Sequence, residues 1–333
     1  MTISDEDYFK SLRHAESDAI LVEMMRNAVI ASDQDYAAAV AEGLDSPKEL
    51  FRDAIDPTKT FEGEFIGFLR RAALQLLGPD ADAVSRTRVF LLPSRNLNGF
   101  ASQSPNGTPF IVLNHGVTML LGPCTRWFIA FYTWHDSEPY CHDHPQDAFG
   151  DAIIRLARYA STEDIRHLAG VKALDCPSIP KFKIDTYMFA IATEIAILLH
   201  EFGHLILGHL GSALRFRVKL SDGNHLEAMK QSRAQEFEAD AFAFRVLRDS
   251  LQGCAPRDAA FCIGLLFKFF ELCHRLYPSR QPQELWTHPH PVDRWNRIRE
   301  LAEINKFPLW FGYNLDDAFE AIYRRAVFRR ACV

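Results

Sequence analysis

The chain is 333 residues long, 48% hydrophobic and 24% charged, a balance that suits a globular protein with a full core in one large or two modest domains. Its formal net charge of −6 gives no electrostatic ground for binding nucleic acid. No uncharged apolar run reaches the roughly eighteen residues a membrane span needs, and the acidic start Met1–Asp7 lacks the basic-then-apolar layout of a signal peptide.

Residues 1–85 read as a helical N-terminal region. Asp5–Val29 carries Leu12, Ile20, Leu21, Met24, Met25 and Val29 at helical spacing, and Tyr36–Leu44 is alanine-rich. Glu64–Leu77 repeats the pattern with Phe65, Phe68, Leu69, Ala72 and Leu76 until Gly78-Pro79 stops it. No chemistry is evident there; a helical cap or partner surface is the plain reading. From Arg86 the period shortens. Val89–Leu92 and Phe110–Leu113 are strand candidates, Asn96–Thr108 between them is a loop rich in Asn, Ser and Gly, and Val117–Leu121 and Trp127–Trp134 continue a β-like texture. Asp147–Tyr159 and Thr162–Leu168 look helical. Tyr140–Pro145, with His135 and Cys176 nearby, gathers ligand-type side chains without recognised ligand pairs, so a polar loop explains it more simply than a second metal site.

Tyr187–Leu199 is almost wholly apolar, with Asp185 or Thr186 as candidate cap, and runs into His200-Glu201-Phe202-Gly203-His204. On an α-helix, residues four apart lie roughly 40° apart in projection and about 6 Å along the axis, so both imidazoles point at one spot. This H-E-x-x-H pattern can present two nitrogens to one tetrahedral zinc while Glu201 faces a water in the open position. The competing reading is a buried helix with two satisfied histidines. Gly211-Ser212 breaks the helix, Ser221–Asn224 is a turn, and a long helix is expected from about Leu226 to Leu251. On it, Glu236 is the best candidate for a third ligand, 32 residues past His204. Asp240, one turn on and on the same face, can accept the free N–H of a ligated imidazole. Glu238 competes for the ligand role but lies about 200° round the helix from Glu236. For these carboxylates alone, a solvated helix face is the bland account.

Pro256 opens a phenylalanine-rich helix ending near Tyr277-Pro278, with Lys268, Glu271 and Arg275 as one polar stripe. Thr287–Arg294 leads into a helix to about Ile304, and Asp316–Arg330 is a last amphipathic helix whose arginines 324, 325, 329 and 330 complement its dipole. His209, nine residues from His200 and about half a turn out of phase, is read as bonding the last carbonyls of the metal helix. His115 is read as a turn residue. The seven cysteines, odd in number and without a C-x-x-C pair, fit reduced thiols in a cytoplasm rather than a disulfide framework.

Three pieces in order carry a resemblance: H-E-x-x-H at His200–His204, E-x-x-x-D at Glu236–Asp240 with Ala239 before the Asp, and Thr287-His288-Pro289 followed by Arg294. Together they resemble the gluzincin metallopeptidases of the HtpX and CAAX-prenyl-protease type. Asn98-Gly99-Phe100-Ala101 and then Phe110–Leu113 are similar to that family's Asn-Ala-Phe-Ala stretch and the strand after it, with Gly99 where the family has alanine. The resemblance covers roughly residues 86–305. It implies an α+β, mostly helical, zincin-like fold with a small sheet beside two metal-bearing helices. It further implies His200, His204 and Glu236 as ligands of one Zn2+ per chain, Glu201 as general base and Asp240 behind the ligands. His288 would stand near the substrate, with His290 as its competitor. Asn98, Phe100 and Arg294 would lie on the substrate side, the Asn98–Leu113 region serving as an edge strand for a peptide. Two departures matter. The membrane helices of that family have no counterpart here, so lipidated substrates are not implied, and some sixty residues (roughly Gly122–Ile184) intervene between strand and metal helix. A looser resemblance is to phage-exclusion (Lit-type) proteases.

The expected organisation is a helical region 1–85 and a metallopeptidase domain 86–333 with an insertion at about 122–184. The expected activity is a zinc-dependent, cytoplasmic endopeptidase acting on a peptide or protein substrate, with residues 1–85 or 122–184 available to a regulatory partner. A second reading is a non-catalytic, zinc-stabilised interaction module, which a fourth protein ligand such as His288 or His290 would favour and the presence of Glu201 opposes. A third is a latent defence or stress protease switched on by a partner. A His2Glu donor set binds several divalent metals, so availability decides which one it holds.

Overall fold

The apolar run ahead of the histidine pair becomes the helix against which most of the molecule packs. The computed structural model describes residues 4–7, 61–92, 99–114, 121, 124–125, 128, 151–158, 183–212, 214–219, 225–230, 232–250, 256–276, 288–303 and 315–331. Helix α1 (Phe61–Leu77) is followed by strands β1 (Arg88–Leu92), β2 (Gly99–Gln103) and β3 (Pro109–Asn114), and then by the long helix α2 (Lys183–Ile206). Strands β4 (Leu214–Lys219) and β5 (His225–Lys230) come next, then helices α3 (Arg233–Ser250), α4 (Pro256–Leu276), α5 (Pro291–Leu301) and α6 (Leu315–Ala331). The architecture is α+β, mostly helical with small sheets. Among the described residues no helix is long and apolar enough to cross a membrane.

Helix α2 touches α1, α3, α4, β2 and β3. Ile195–Leu199 and Phe202 are all buried on it, so the helix is apolar nearly all round where it approaches the histidines. Its one hydroxyl there, Thr193, donates to the Phe189 carbonyl at 2.8 Å and is thereby satisfied. The crossing with α3 is close because both helices offer small residues. A Cβ on Gly203 would meet Phe242 Cδ1 at 3.1 Å and Ala239 Cα at 3.4 Å. That approach brings the start of α3 against the histidine pair.

The three-stranded sheet has the order β1-β3-β2, with β1 parallel and β2 antiparallel to β3. Strands alternate their faces. Ala101, Ile111 and Leu113 join the core shared with α2, while on the other face Phe90 meets Phe110 edge-on with ring centroids 6.0 Å apart. The β2–β3 turn also holds the described N-terminal residues: Asp5 accepts from Ser104 Oγ at 2.6 Å, from Asn106 Nδ2 at 2.9 Å and from Thr108 Oγ1. The polar stripe of α4 faces α6. Lys268 pairs there with Asp316 at 2.6 Å, and Arg275 with Glu320 at 2.8 Å. Cys124, Cys262 and Cys273 are buried and belong to no disulfide.

Several sequence expectations change. The loop expected over Asn96–Thr108 contains β2, so of the Asn98–Leu113 region only β2 is an edge strand and β3 is the sheet's centre. The helix expected from Leu226 starts at Arg233, because residues 225–230 pair with β4 in a hairpin. Leu226-Glu227-Ala228-Met229 are good helix formers in isolation, and strand pairing overrides that weak preference. Leu121, Cys124, Thr125 and Phe128 are helical, not β-like. Helix α2 already includes Asp185 and Thr186, so neither caps it. The expected helices at 8–29, 36–44 and 162–168, the cluster around His135–Cys176, the turn Ser221–Asn224, His115, Asn98 and Thr287 lie outside the described residues.

Trp295 is 2% exposed and sits where α5 meets α4 and α6. Trp295→Ala is expected to lower unfolding free energy by about 3–5 kcal/mol, since the lost burial and the residual cavity add. Urea unfolding followed by circular dichroism checks this; a loss below about 1 kcal/mol would mean the neighbouring helices collapse into the space.

Candidate metal centre

Two helix ends and one pre-helical segment bring the donors together. His200 and His204, one turn apart at the end of α2, set their rings perpendicular with centroids 4.7 Å apart and Nε2 atoms 3.1 Å apart. Glu236 enters from the first turn of α3, with Oε2 3.4 Å from His200 Nε2 and Oε1 3.5 Å from His204 Nε2. His288, three residues ahead of α5, puts Nδ1 2.5 Å from Glu236 Oε2. The donor atoms of His200, Glu236 and His288 all lie within 4.8 Å of one another, a group able to hold a metal ion. His204 points at the same place. Two imidazole nitrogens and a carboxylate, with a third imidazole beside them, are a donor set that suits a borderline divalent cation.

Each histidine of the pair is also held from behind. Asp240 Oδ1 lies 2.9 Å from His200 Nδ1, which turns Nε2 toward Glu236. Arg294 grips Asp240 with two bonds, Nε to Oδ2 at 2.7 Å and Nη2 to Oδ1 at 2.5 Å, while its guanidinium lies 4.6 Å over the Phe267 ring. Nη2 is also 3.3 Å from His200 Nδ1, but both nitrogens are donors that share the one Asp240 oxygen. Behind His204 stands His209, Nδ1 to Nδ1 at 2.9 Å, and His209 Nε2 lies 3.0 Å from Glu238 Oε2.

Burial sets the electrostatics. It disfavours the charged form of His200, yet Asp240 and Glu236 outweigh it and hold the group up at about 10. His204, without an adjacent Asp, is driven the other way: burial first, then the charge on His200, push it down to about 2. For Glu236, burial is opposed by His288 and His200, which keep the carboxyl well below its usual range. Asp240 goes down to about 2, Arg294 overcoming the desolvation cost. Glu201 is the exception. It is 2% exposed, and its desolvation exceeds the help from His200 and His288, so its carboxyl is raised. A carboxyl whose pKa is raised by burial beside a metal-type cluster is a candidate to take up and release a proton.

Glu201 faces a cavity lined by Gly99, Ala196, Ile197, Ile263, Leu266 and Phe270 as well as by His200 and His288. Gly99 closes it from β2: a Cβ there would stand 3.4 Å from Glu201 Oε1 and only 2.9 Å from Leu113 Cδ2. Alanine at this position would crowd Leu113 and the Val112 carbonyl oxygen, 3.1 Å away, which gives the glycine a local reason.

The sequence-derived residues fall into three groups. His200, Glu201, His204, Glu236, Asp240 and His288 come together. Phe100 and Arg294, expected on the substrate side, form the second group, and Arg294 also lines the cavity beside Glu201. Phe100 alternates to the face of β2 opposite Gly99, and Arg294 is 6% exposed with its guanidinium taken by Asp240. Asn98 is outside the described residues. His290 caps α5, accepting from Val292 N at 3.3 Å, and its ring faces His274 with centroids 5.2 Å apart, so His288 is the histidine that reaches the cluster. His209 and Glu238 are the pair that sequence reasoning missed. Gly208 right after the helix, followed by a histidine, was the available signal.

If Arg294 serves to compensate Asp240, Arg294→Met is expected to cost about 3–5 kcal/mol of stability by leaving a buried charge unpaired. A variant with native unfolding free energy but altered substrate affinity would instead put Arg294 on the substrate side.

Residues 180–308, less than half of the chain, match the sequence model of the family Peptidase U49. That stretch includes α2, the β4–β5 hairpin and α3 through α5, hence every donor of the cluster. No curated protein and no solved structure matches the chain. The family match supports a peptidase, a hydrolase whose substrates are proteins.

Proposed function

We propose that the chain is a zinc-dependent endopeptidase of the gluzincin type, with His200, His204 and Glu236 holding one Zn2+ and Glu201 acting as general base. The observation that carries this reading is the convergence of His200 Nε2, His204 Nε2 and the Glu236 carboxylate on one point beside a buried carboxyl with a raised pKa. When bound, zinc supplies Lewis-acid polarisation of a carbonyl and makes a water acidic near pH 7. The protein's own groups do the rest. Glu201 takes the proton of the attacking water and hands it to the leaving amine as the C–N bond breaks. His288, on the open side of Glu236 with its side chain 22% exposed, is placed to donate to the developing oxyanion. The apolar lining around Glu201 excludes water and strengthens each of these interactions. Residues 1–85 and all but the last five residues of the 122–184 insertion lie outside the matched stretch, and these are the segments we assign to regulation by a partner.

One distance favours a second reading. His288 Nδ1 is 2.5 Å from Glu236 Oε2, close enough for His288 to serve as a fourth ligand and close the site into a structural zinc module. The two readings separate on one set of proteins. Elemental analysis of the purified chain is expected to give about one zinc, and casein is expected to be cleaved. Glu201→Gln is expected to keep the zinc and lose turnover by at least about 100-fold; loss of the metal in that variant would make Glu201 structural. His288→Ala is expected to keep the zinc and slow cleavage by roughly 100- to 1000-fold. If His288→Ala loses its zinc and the native protein is inert, the closed-site reading replaces the peptidase.

A further inference from the structure

We propose that His209 and Glu238 form a relay that fixes the tautomer and orientation of His204, a positioning role that rests on the metal-centre reading above. For His204 to offer its Nε2 lone pair beside His200 and Glu236, its ring proton must sit on Nδ1. In a pocket where His204 is 1% and His209 4% exposed, that N–H needs a protein acceptor. His209 Nδ1, 2.9 Å away, meets the need. It can accept only with its own proton on Nε2, and Nε2 lies 3.0 Å from Glu238 Oε2. The opposite tautomer of His209 would set two N–H groups head to head. The three groups are therefore consistent in one proton arrangement: His204 Nδ1–H donates to His209 Nδ1, and His209 Nε2–H donates to Glu238.

The backbone is built to make this contact. Helix α2 ends at Ile206, and Gly208 takes φ 72°, a conformation that costs other residues dearly. A 3-10 turn over His209–Ser212 then carries His209 back beneath His204. Gln235 Nε2 reaches the His209 carbonyl at 3.4 Å, tying that turn to α3. Glu238 sits on the opposite side of α3 from Glu236, and its side chain is 62% exposed. So His200 is backed directly by a buried Asp, whereas His204 is backed through a second imidazole by a carboxylate at the surface.

The test is zinc affinity of the full chain, measured by competition with a chromophoric chelator, with the melting temperature of the metal-free protein recorded alongside. His209→Ala is expected to weaken zinc binding by roughly 10- to 100-fold. His209→Asn, whose carbonyl oxygen replaces Nδ1 as acceptor, is expected to restore most of that loss. A fold defect alone would show no such rescue. Glu238→Ala, at an exposed position that folding tolerates, is expected to weaken binding by up to about tenfold with an unchanged melting temperature. Native affinity in both His209→Ala and Glu238→Ala overturns the relay and leaves the metal centre standing. A native chain that takes up no zinc overturns the metal centre and the relay with it.

Discussion

Two carboxylates one turn apart on the buried face of α3, Glu236 and Asp240, set the terms for everything around them. A carboxylate taken out of water persists as a charge only if partners replace its hydration. Asp240 has that in full, with a bidentate guanidinium and an imidazole N–H. Among the described residues, Glu236 is faced by imidazoles. With Glu201 added, the described residues of the centre gather three carboxyl groups around one permanent cation, Arg294. Histidine protons or a bound cation can supply further positive charge, and His200, Glu236 and His288 form a group that could hold such an ion.

The same constraint explains the packing. Donors can converge only if α2 and α3 cross closely, and the Gly203–Ala239 contact makes that possible. Arg294 must then arrive from a third element, so α5 is anchored by burying Trp295 and Ile298 as it packs on α4, with Trp295 Nε1 also donating to Asp316 of α6. The sheet contributes little to the ligand set. Its part is to lay Gly99 beside Glu201, giving the general-base candidate a wall of backbone instead of solvent.

Much of this was legible because it is written at helical spacing. His200 with His204 and Glu236 with Asp240 are each four apart, and the apolar runs around them announce buried helices. What stayed hidden depends on partners distant in sequence. Strand β2 lies in a polar, glycine-containing stretch that becomes a strand by pairing with β3. Strand β5 has helix-forming residues and takes its conformation from β4. Leu214-Arg215-Phe216-Arg217-Val218-Lys219 does alternate apolar and basic residues, a period-two signal that could have been read. His209 was judged by its angle on an ideal helix, but the helix stops at Ile206 and the turn at Gly208 resets that angle. That Arg294 turns its guanidinium to Asp240 is likewise beyond what a motif carries.

The contact between Arg294 and the His200–Asp240 pair spans 94 positions of chain. Loops of that length close late, since their entropy must be offset by contacts already made. During synthesis from the N-terminus, His200 and His204 emerge well before the residues that orient and neutralise their surroundings. A nascent chain thus carries bare histidines on an apolar helix, and the constellation is assembled only when the segment bearing α5 has been made and docked. Topology thereby orders the assembly: the residues that neutralise the centre are the last of its parts to be made.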